Sequence, residues 1–115
     1  MYMNMSGHVF DPDNWKLEAE VVINDVKDHV KTLEISEKLG SDYNVIYLNL
    51  ITNEGNNYCI QLSAQGFRVV GYESDVNDLD SEVYFETPYS LLNSVSPSFK
   101  VSFANALFKK LNELN

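Results

Sequence analysis

The closing stretch, residues 96–114 (SPSFKVSFANALFKKLNEL), constrains the fold of this chain more than any other segment. Ser96 followed by Pro97 predicts a helix start, because a serine side chain caps exposed N–H groups and proline has its φ preset for the first turn. The apolar side chains of this helix cover roughly 200° of its surface, whereas a helix on a domain surface needs a stripe of only about 100°. These side chains are Phe99, Val101, Phe103, Ala104, Leu107, Phe108, Leu111 and Leu114. The helix is therefore either buried on two sides or keeps part of its apolar surface for another protein.

The distribution of charge excludes some partners. The formal net charge is −9, from 8 basic and 17 acidic residues. Three lysines and one glutamate from Ser96 onward give +2, so residues 1–95 carry the remaining −11. A field of this sign repels phosphate backbones, and we expect no nucleic-acid binding.

Length and cysteine content indicate one domain in a reducing compartment. The chain has 115 residues, enough for one core. No apolar run approaches the ~20 residues of a membrane span, and we expect no membrane partner. The single Cys59 forms no internal disulfide. We therefore expect a cytoplasmic protein, or one shared with the nucleus.

The first half of the chain predicts a flexible arm, residues 1–12, and then a domain over residues 13–115. Asp11 and Pro12 indicate the start of a helix. The apolar residues that follow form one stripe about 100° wide, which is typical of a helix packed on its own core. They are Trp15, Ala19, Val22, Ile23, Val26, Val30 and Leu33. The end of this helix stays open, because residues 31–38 (KTLEISEK) alternate like a strand, with Leu33 and Ile35 inward.

The middle and end of the chain predict a sheet and two further helices. Residues 45–52, 58–62 and 67–72 are rich in β-branched and aromatic side chains and are separated by turn residues, which favours a hairpin and a third strand. Thr87 and Pro88 predict a short helix before the closing one. The predicted fold is α+β, a two-layer single domain with an N-terminal helix, about four mostly antiparallel strands and two C-terminal helices.

No candidate catalytic or metal site passes a spacing test. The acidic segment 73–82 places Asp75 and Asn77 at the first and third positions of a calcium loop. Leu79 and Asp80 then stand where a ligand and a glycine are required, so a solvated loop is the prediction. His8 and His29 are far apart, and Cys59 in a strand indicates a buried packing residue. The sequence predicts no enzyme, no cofactor and no metal.

Three blocks of the sequence resemble a known family. LEAEVVINDV (17–26), YCIQLSAQGFRVVGY (58–72) and ETPYSLLNSVSPSF (86–99) are similar to the GSKIP family, the glycogen synthase kinase-3β interaction proteins. The blocks occur in the same order and spacing, and the resemblance runs from about Trp15 to Leu114. A related module occurs in the larger clustered-mitochondria proteins.

The resemblance implies a small cytosolic protein, active in Wnt signalling, that binds glycogen synthase kinase-3 through its C-terminal helix and inhibits it. The family's kinase-binding pattern, F-x-x-x-L-x-x-R-L, matches Phe103, Leu107, Lys110 and Leu111, with Lys110 in place of the arginine. Lysine keeps the charge but loses the planar fork that grips a carboxylate bidentately. The spacing i, i+4, i+8 is also what helix-in-groove recognition requires.

Vertebrate-type members of the family also anchor the regulatory subunit of protein kinase A through their first helix. Leu17 and Val21 lie outside the core stripe here and begin a second apolar face. The next positions along that face include Asn24, Asp25 and Asp28, and burying Asp28 in an apolar groove costs several kcal/mol unless it is paired. We therefore expect no protein kinase A anchoring.

The sequence leaves two functions open. The first is a kinase-binding protein or inhibitor with Phe103, Leu107 and Leu111 as anchors. The alternative is a structural interaction module like that of clustered-mitochondria proteins, without kinase binding and with the closing helix used only inside the fold. Solvent exposure of the apolar side chains on that helix distinguishes the two.

Overall fold

The computed structural model describes residues 12–113, which form three α-helices and one four-stranded sheet. The elements are α1 (Pro12–Val26), β1 (Thr32–Ile35), β2 (Val45–Ile51), β3 (Asn57–Ser63), β4 (Gly66–Gly71), α2 (Pro88–Val95) and α3 (Pro97–Glu113). The predicted α+β class, with an N-terminal helix, four strands and two C-terminal helices, is confirmed. The predicted arm lies outside the described residues except for Pro12, as do the Asp11 cap and Leu114.

The sheet is an antiparallel meander with the strand order β1-β2-β3-β4. Ile46, Leu48 and Leu50 alternate with more exposed residues along β2 and are fully buried, because successive side chains of a strand point to opposite faces. The register brings apolar partners to the same face, with Leu48 opposite Ile60 and Leu50 opposite Leu33. This face forms the inner layer of the core.

Helix α1 covers that inner face with the predicted stripe. Trp15, Ala19, Val22 and Val26 are each at most 1% exposed. The helix ends at Val26, however, and one 3-10 turn, Lys27–His29, leads to β1. Leu33 thus lies in a strand, where pairing with Leu50 of β2 holds it extended. The strand interpretation of this segment was the right one.

The acidic segment after β4 is a mostly exposed loop, as predicted, and Asp75 attaches it to the other face of the sheet. The carboxylate of Asp75 accepts hydrogen bonds from the Ser36 hydroxyl (2.5 Å) and from the Asn49 amide (2.8 Å). The hydrogen bond from Ser36, and to a smaller extent the one from Asn49, holds the pKa of Asp75 below its usual value. Gly71 permits the close approach, because a Cβ there would lie 1.8 Å from the carbonyl oxygen of Val76.

Both C-terminal helices begin at the predicted caps. Thr87 Oγ1 accepts a hydrogen bond from the Ser90 N–H (3.1 Å) at the start of α2. Ser96 Oγ accepts one from the Phe99 N–H (3.2 Å) at the start of α3. Each cap satisfies an N–H group that would otherwise lack a partner in the first turn. Ser96, the single residue between the two helices, is therefore both the C-cap of α2 and the N-cap of α3.

Candidate protein-binding surface on the C-terminal helix

The first two turns of α3 are fastened to the domain by stacked aromatic rings. Phe99 is fully buried in the core. Its ring stacks on Phe103 with a centroid distance of 5.3 Å, and Phe103 in turn stacks on Tyr89 of α2 at 5.0 Å. Phe103, a predicted kinase anchor, is therefore partly buried against the domain itself.

His29, from the 3-10 turn after α1, supports the same two turns from another side. Its imidazole lies nearly perpendicular to the rings of Phe99 and Phe103, at 88° and 87°, with centroid distances of 6.0 and 5.3 Å. Its Nδ1 shares a hydrogen bond of 2.6 Å with the Ser102 hydroxyl. Aromatic edge contacts of this kind add to the area that the rings bury. The direction of α3 is thus set by residues far from it in sequence.

Glu54, in the turn between β2 and β3, holds the N-terminus of α3. One carboxylate oxygen accepts from the Ser96 hydroxyl and the other from the Ser98 N–H, both at 2.8 Å. The hydrogen bonds from Ser98 and Ser96 lower the pKa of Glu54 to about 2. A carboxylate at this end also meets the positive end of the helix dipole. The ionised side chain therefore stabilises the folded position of α3.

We expect the contribution of Glu54 to stability to depend on pH. Its folded pKa of about 2 lies below the value of 4.5 for an unperturbed glutamate, so its ionised form favours the folded state. The stabilisation is complete above pH 4.5 and is lost as the pH falls toward 2. Urea unfolding of wild type and Glu54→Gln should therefore differ at pH 7 and converge in acid. A difference that stays constant down to pH 3 would contradict this role.

The second half of α3 extends beyond the support of the domain. Every residue from Ala104 to Glu113 is exposed. Ten residues of α-helix are about 15 Å long, so almost three turns project into solvent. This projecting half includes large apolar side chains, with Leu107 50%, Phe108 67% and Leu111 61% exposed. Exposed apolar side chains grouped on one helix are typical of a protein-binding surface.

The predicted site residues fall into three groups. Leu107, Lys110 and Leu111 share the projecting half of α3. Phe103 lies at its base, half-buried. Leu17 and Val21 are 61% and 51% exposed on α1, on the side opposite its core stripe. The structure thus brings three of the four candidate kinase-binding residues together on one exposed surface.

The residues that orient α3 could not be identified from the sequence. His29 and Glu54 contact it from 73 and 42 positions away along the chain. A single sequence carries no signal for such pairs, because neither residue type nor local spacing marks them. The exposure of Phe108 was one of two possibilities that the sequence left open, since the wide apolar arc fitted either burial on two sides or a surface kept for another protein.

Other parts of the described chain offer little for catalysis. Cys59 is buried as predicted, and burial together with the charge of Asp75 raises the pKa of its thiol to about 11, which keeps it protonated and unreactive. An open groove along β1 has Glu20, Glu34 and Lys38 among its lining residues. No group of three His, Cys, Asp or Glu residues within 12–113 is placed to hold a metal ion. Over the same residues, no helix has the length and apolarity to cross a membrane.

Comparison with known proteins gives one consistent result. The family model described as the GSKIP domain matches residues 15–114. The zebrafish (Danio rerio) GSK3-beta interaction protein is 47% identical over 100 residues, which span 86% of this chain and 75% of the relative. The human (Homo sapiens) GSK3B-interacting protein is 42% identical over 105 residues, 90% of this chain and 76% of the relative. The GSKIP homolog of Drosophila melanogaster is 34% identical over 85 residues, 71% of each chain.

Proposed function

The chain belongs to the GSKIP domain family, and on that premise we propose that it binds glycogen synthase kinase-3 through the projecting half of α3 and inhibits it. Relatives that share over 40% of its residues are named for an interaction with this kinase. The names of these relatives describe an interaction with a kinase and do not describe a catalysed reaction. The proposed function is accordingly that of a kinase-binding protein rather than of an enzyme.

The exposure of Leu107 and Leu111 is the observation that carries the proposal. These residues occupy the central and last apolar positions of the F-x-x-x-L-x-x-R-L pattern, and both project into solvent. Apolar side chains at i and i+4 on a protruding helix fit an apolar groove on a partner. A helix used only for internal packing would bury them, so their exposure favours the kinase-binding protein over the structural module.

Phe103 has a different role in this proposal from the one its place in the pattern implies. Its ring lies between Phe99, Tyr89 and His29, so most of its apolar surface already contacts the domain. It holds the base of the projecting helix in place and offers a partner only the part of its side chain that is not buried in the domain. Lys110 lies between Leu107 and Leu111 along the chain and supplies charge attraction to a carboxylate on the groove's rim, without bidentate hydrogen bonding.

A titration with the purified kinase tests the proposal. We expect saturable binding to the immobilised protein with a dissociation constant of about 1 μM or lower, which corresponds to about −8 kcal/mol. Val83→Glu is the control for charged variants of α3 such as Leu107→Glu. Val83 is 60% exposed and lies outside α3, so its replacement adds the same charge away from the proposed binding surface. Wild type and this control should bind equally. No retention of the kinase by wild type at micromolar concentration would refute the function.

The same mixture measures inhibition. If α3 occupies a groove that substrates or other regulators need, phosphorylation should fall in proportion to occupancy of the kinase. Full activity at saturating protein would contradict inhibition and leave binding as a means of relocating the kinase.

Protein kinase A anchoring stays outside the proposal. Among the described side chains of α1, the large apolar ones that are exposed are Leu17 and Val21, and the helix ends at Val26. Two side chains on a 15-residue helix make a narrow docking surface. The polar residues Asn24, Asp25 and Asp28 that follow are poor partners for an apolar groove.

A further inference from the structure

The orientation of α3 exposes a second apolar row that the family pattern does not contain. Val101 is 61% exposed and Phe108 is 67% exposed, which makes Phe108 the most exposed large apolar side chain in the described chain. Ala104, between them, is also exposed. We call Val101, Ala104 and Phe108 the outer row. At 100° per residue the outer row lies about 140° to 200° around the helix from buried Phe99.

The outer row continues to Leu111 with the spacing of a helix-packing seam. The steps 101, 104, 108 and 111 are three, four and three residues, the alternation that keeps apolar side chains facing a partner along a helix. Leu107 lies beside this seam, on the side nearer Phe103. The exposed apolar surface of α3 is therefore about 120° wide and is centred near Leu111 and Ala104 rather than on the line from Phe103 to Leu111.

We infer that Val101 and Phe108 are contact residues for the kinase. Its groove covers the outer row of α3 as well as the pattern residues Leu107 and Leu111. This inference rests on the proposed function and extends its surface. Phe103 is stacked against the domain, so a groove gripping only the pattern residues would have two large apolar anchors. It would also leave Phe108 in water beside it. A groove that covers the outer row as well buries an aromatic anchor, the residue class that most often dominates binding energy.

Charge identifies the occupant as a different protein rather than a second copy. Lys100, Lys109 and Lys110 make the surface of α3 basic, with Glu113 as its single acidic residue. Two copies of the chain pairing through their seams would bring together two molecules that each carry a net charge of −9, which costs free energy. The occupant is instead an apolar groove with carboxylates on the rim near Lys110 and uncharged polar groups on the other rim. Asn105 and Asn112 border the seam on that second side.

Phe108→Ala tests this inference in the titration described above. We expect the affinity for the kinase to fall at least about tenfold, because a buried aromatic anchor is truncated. Val101→Ala should cause a smaller loss of the same sign. Since both side chains are exposed in the domain alone, the thermal midpoint should stay unchanged for each. Val83→Ala serves as the control, because it truncates an apolar side chain of similar exposure elsewhere.

Three other outcomes would each contradict a distinct part of the proposed binding. Wild-type affinity in Phe108→Ala combined with loss of binding in Leu107→Glu would overturn the outer row and leave the proposed function standing. Absence of kinase binding by wild type would refute both. A wild-type dimer in sedimentation that Phe108→Ala dissociates would overturn the choice of the kinase as occupant in favour of a second copy.

Discussion

Leu107→Glu is expected to lower the affinity for glycogen synthase kinase-3 by at least about a hundredfold, or about 2.7 kcal/mol, while the domain stays folded. The side chain is half exposed in the domain alone, in the middle of the projecting half of α3. In the proposed complex it enters an apolar groove. The substitution removes its apolar contact and places an unpaired carboxylate in the groove, and both changes oppose binding.

The measurement pairs binding with stability. Leu111→Glu should behave in the same way, since Leu111 is one turn further along and 61% exposed. Circular dichroism and urea unfolding should match wild type for both variants, because surface substitutions usually change stability by less than about 0.5 kcal/mol. Val83→Glu carries the same added charge and should bind like wild type. Unchanged binding by folded Leu107→Glu would refute this site.

Phe99→Ala is expected to cost about 3–5 kcal/mol of the free energy of unfolding. Phe99 is fully buried, stacks on Phe103 and makes a perpendicular ring contact with His29. Truncation leaves a cavity where the first turn of α3 meets the core. A domain is typically stable by only about 5–15 kcal/mol, so the variant loses a large share of its stability. Urea unfolding followed by circular dichroism measures the effect.

Phe108→Ala is the matched control for that experiment. It is the same substitution in the same helix, nine positions further on, but Phe108 is 67% exposed rather than buried. Its free energy of unfolding should differ from wild type by less than about 0.5 kcal/mol. Equal destabilisation by the two substitutions would contradict the division of α3 into a docked half and a projecting half.

Much of the fold could be predicted from local patterns. The stripe of Trp15 and its helical neighbours, the alternation in β2, and the caps Thr87 and Ser96 each encode an element through residues close in sequence. Such signals are reliable because a cap or a strand face depends on a few neighbouring positions. The end of α1 was ambiguous for the same reason. Leu33 fits both a helix stripe and a strand face, and only the pairing of β1 with β2 distinguishes them.

The acidic segment shows a contact that local patterns did not predict. Asp75 and its neighbours form the exposed loop that their composition predicts, but the carboxylate of Asp75 also accepts hydrogen bonds from Ser36, just after β1, and from Asn49 of β2. Those partners lie 39 and 26 positions earlier in the chain. The composition of a segment indicates whether it can lie in solvent. Its hydrogen-bond partners depend on which donors from distant parts of the chain the fold places beside it.

The sequence by itself determined that α3 is a helix, where it begins, that it has more apolar surface than one packing face needs, and which family the chain resembles. Only the tertiary structure decided how that surface is divided. His29, Glu54 and Tyr89 hold the first turns, so Phe99 and Phe103 are used within the domain while Leu107, Phe108 and Leu111 project from it. The physical reason is that apolar character is a property of a single residue, whereas burial depends on contacts between residues far apart in the chain.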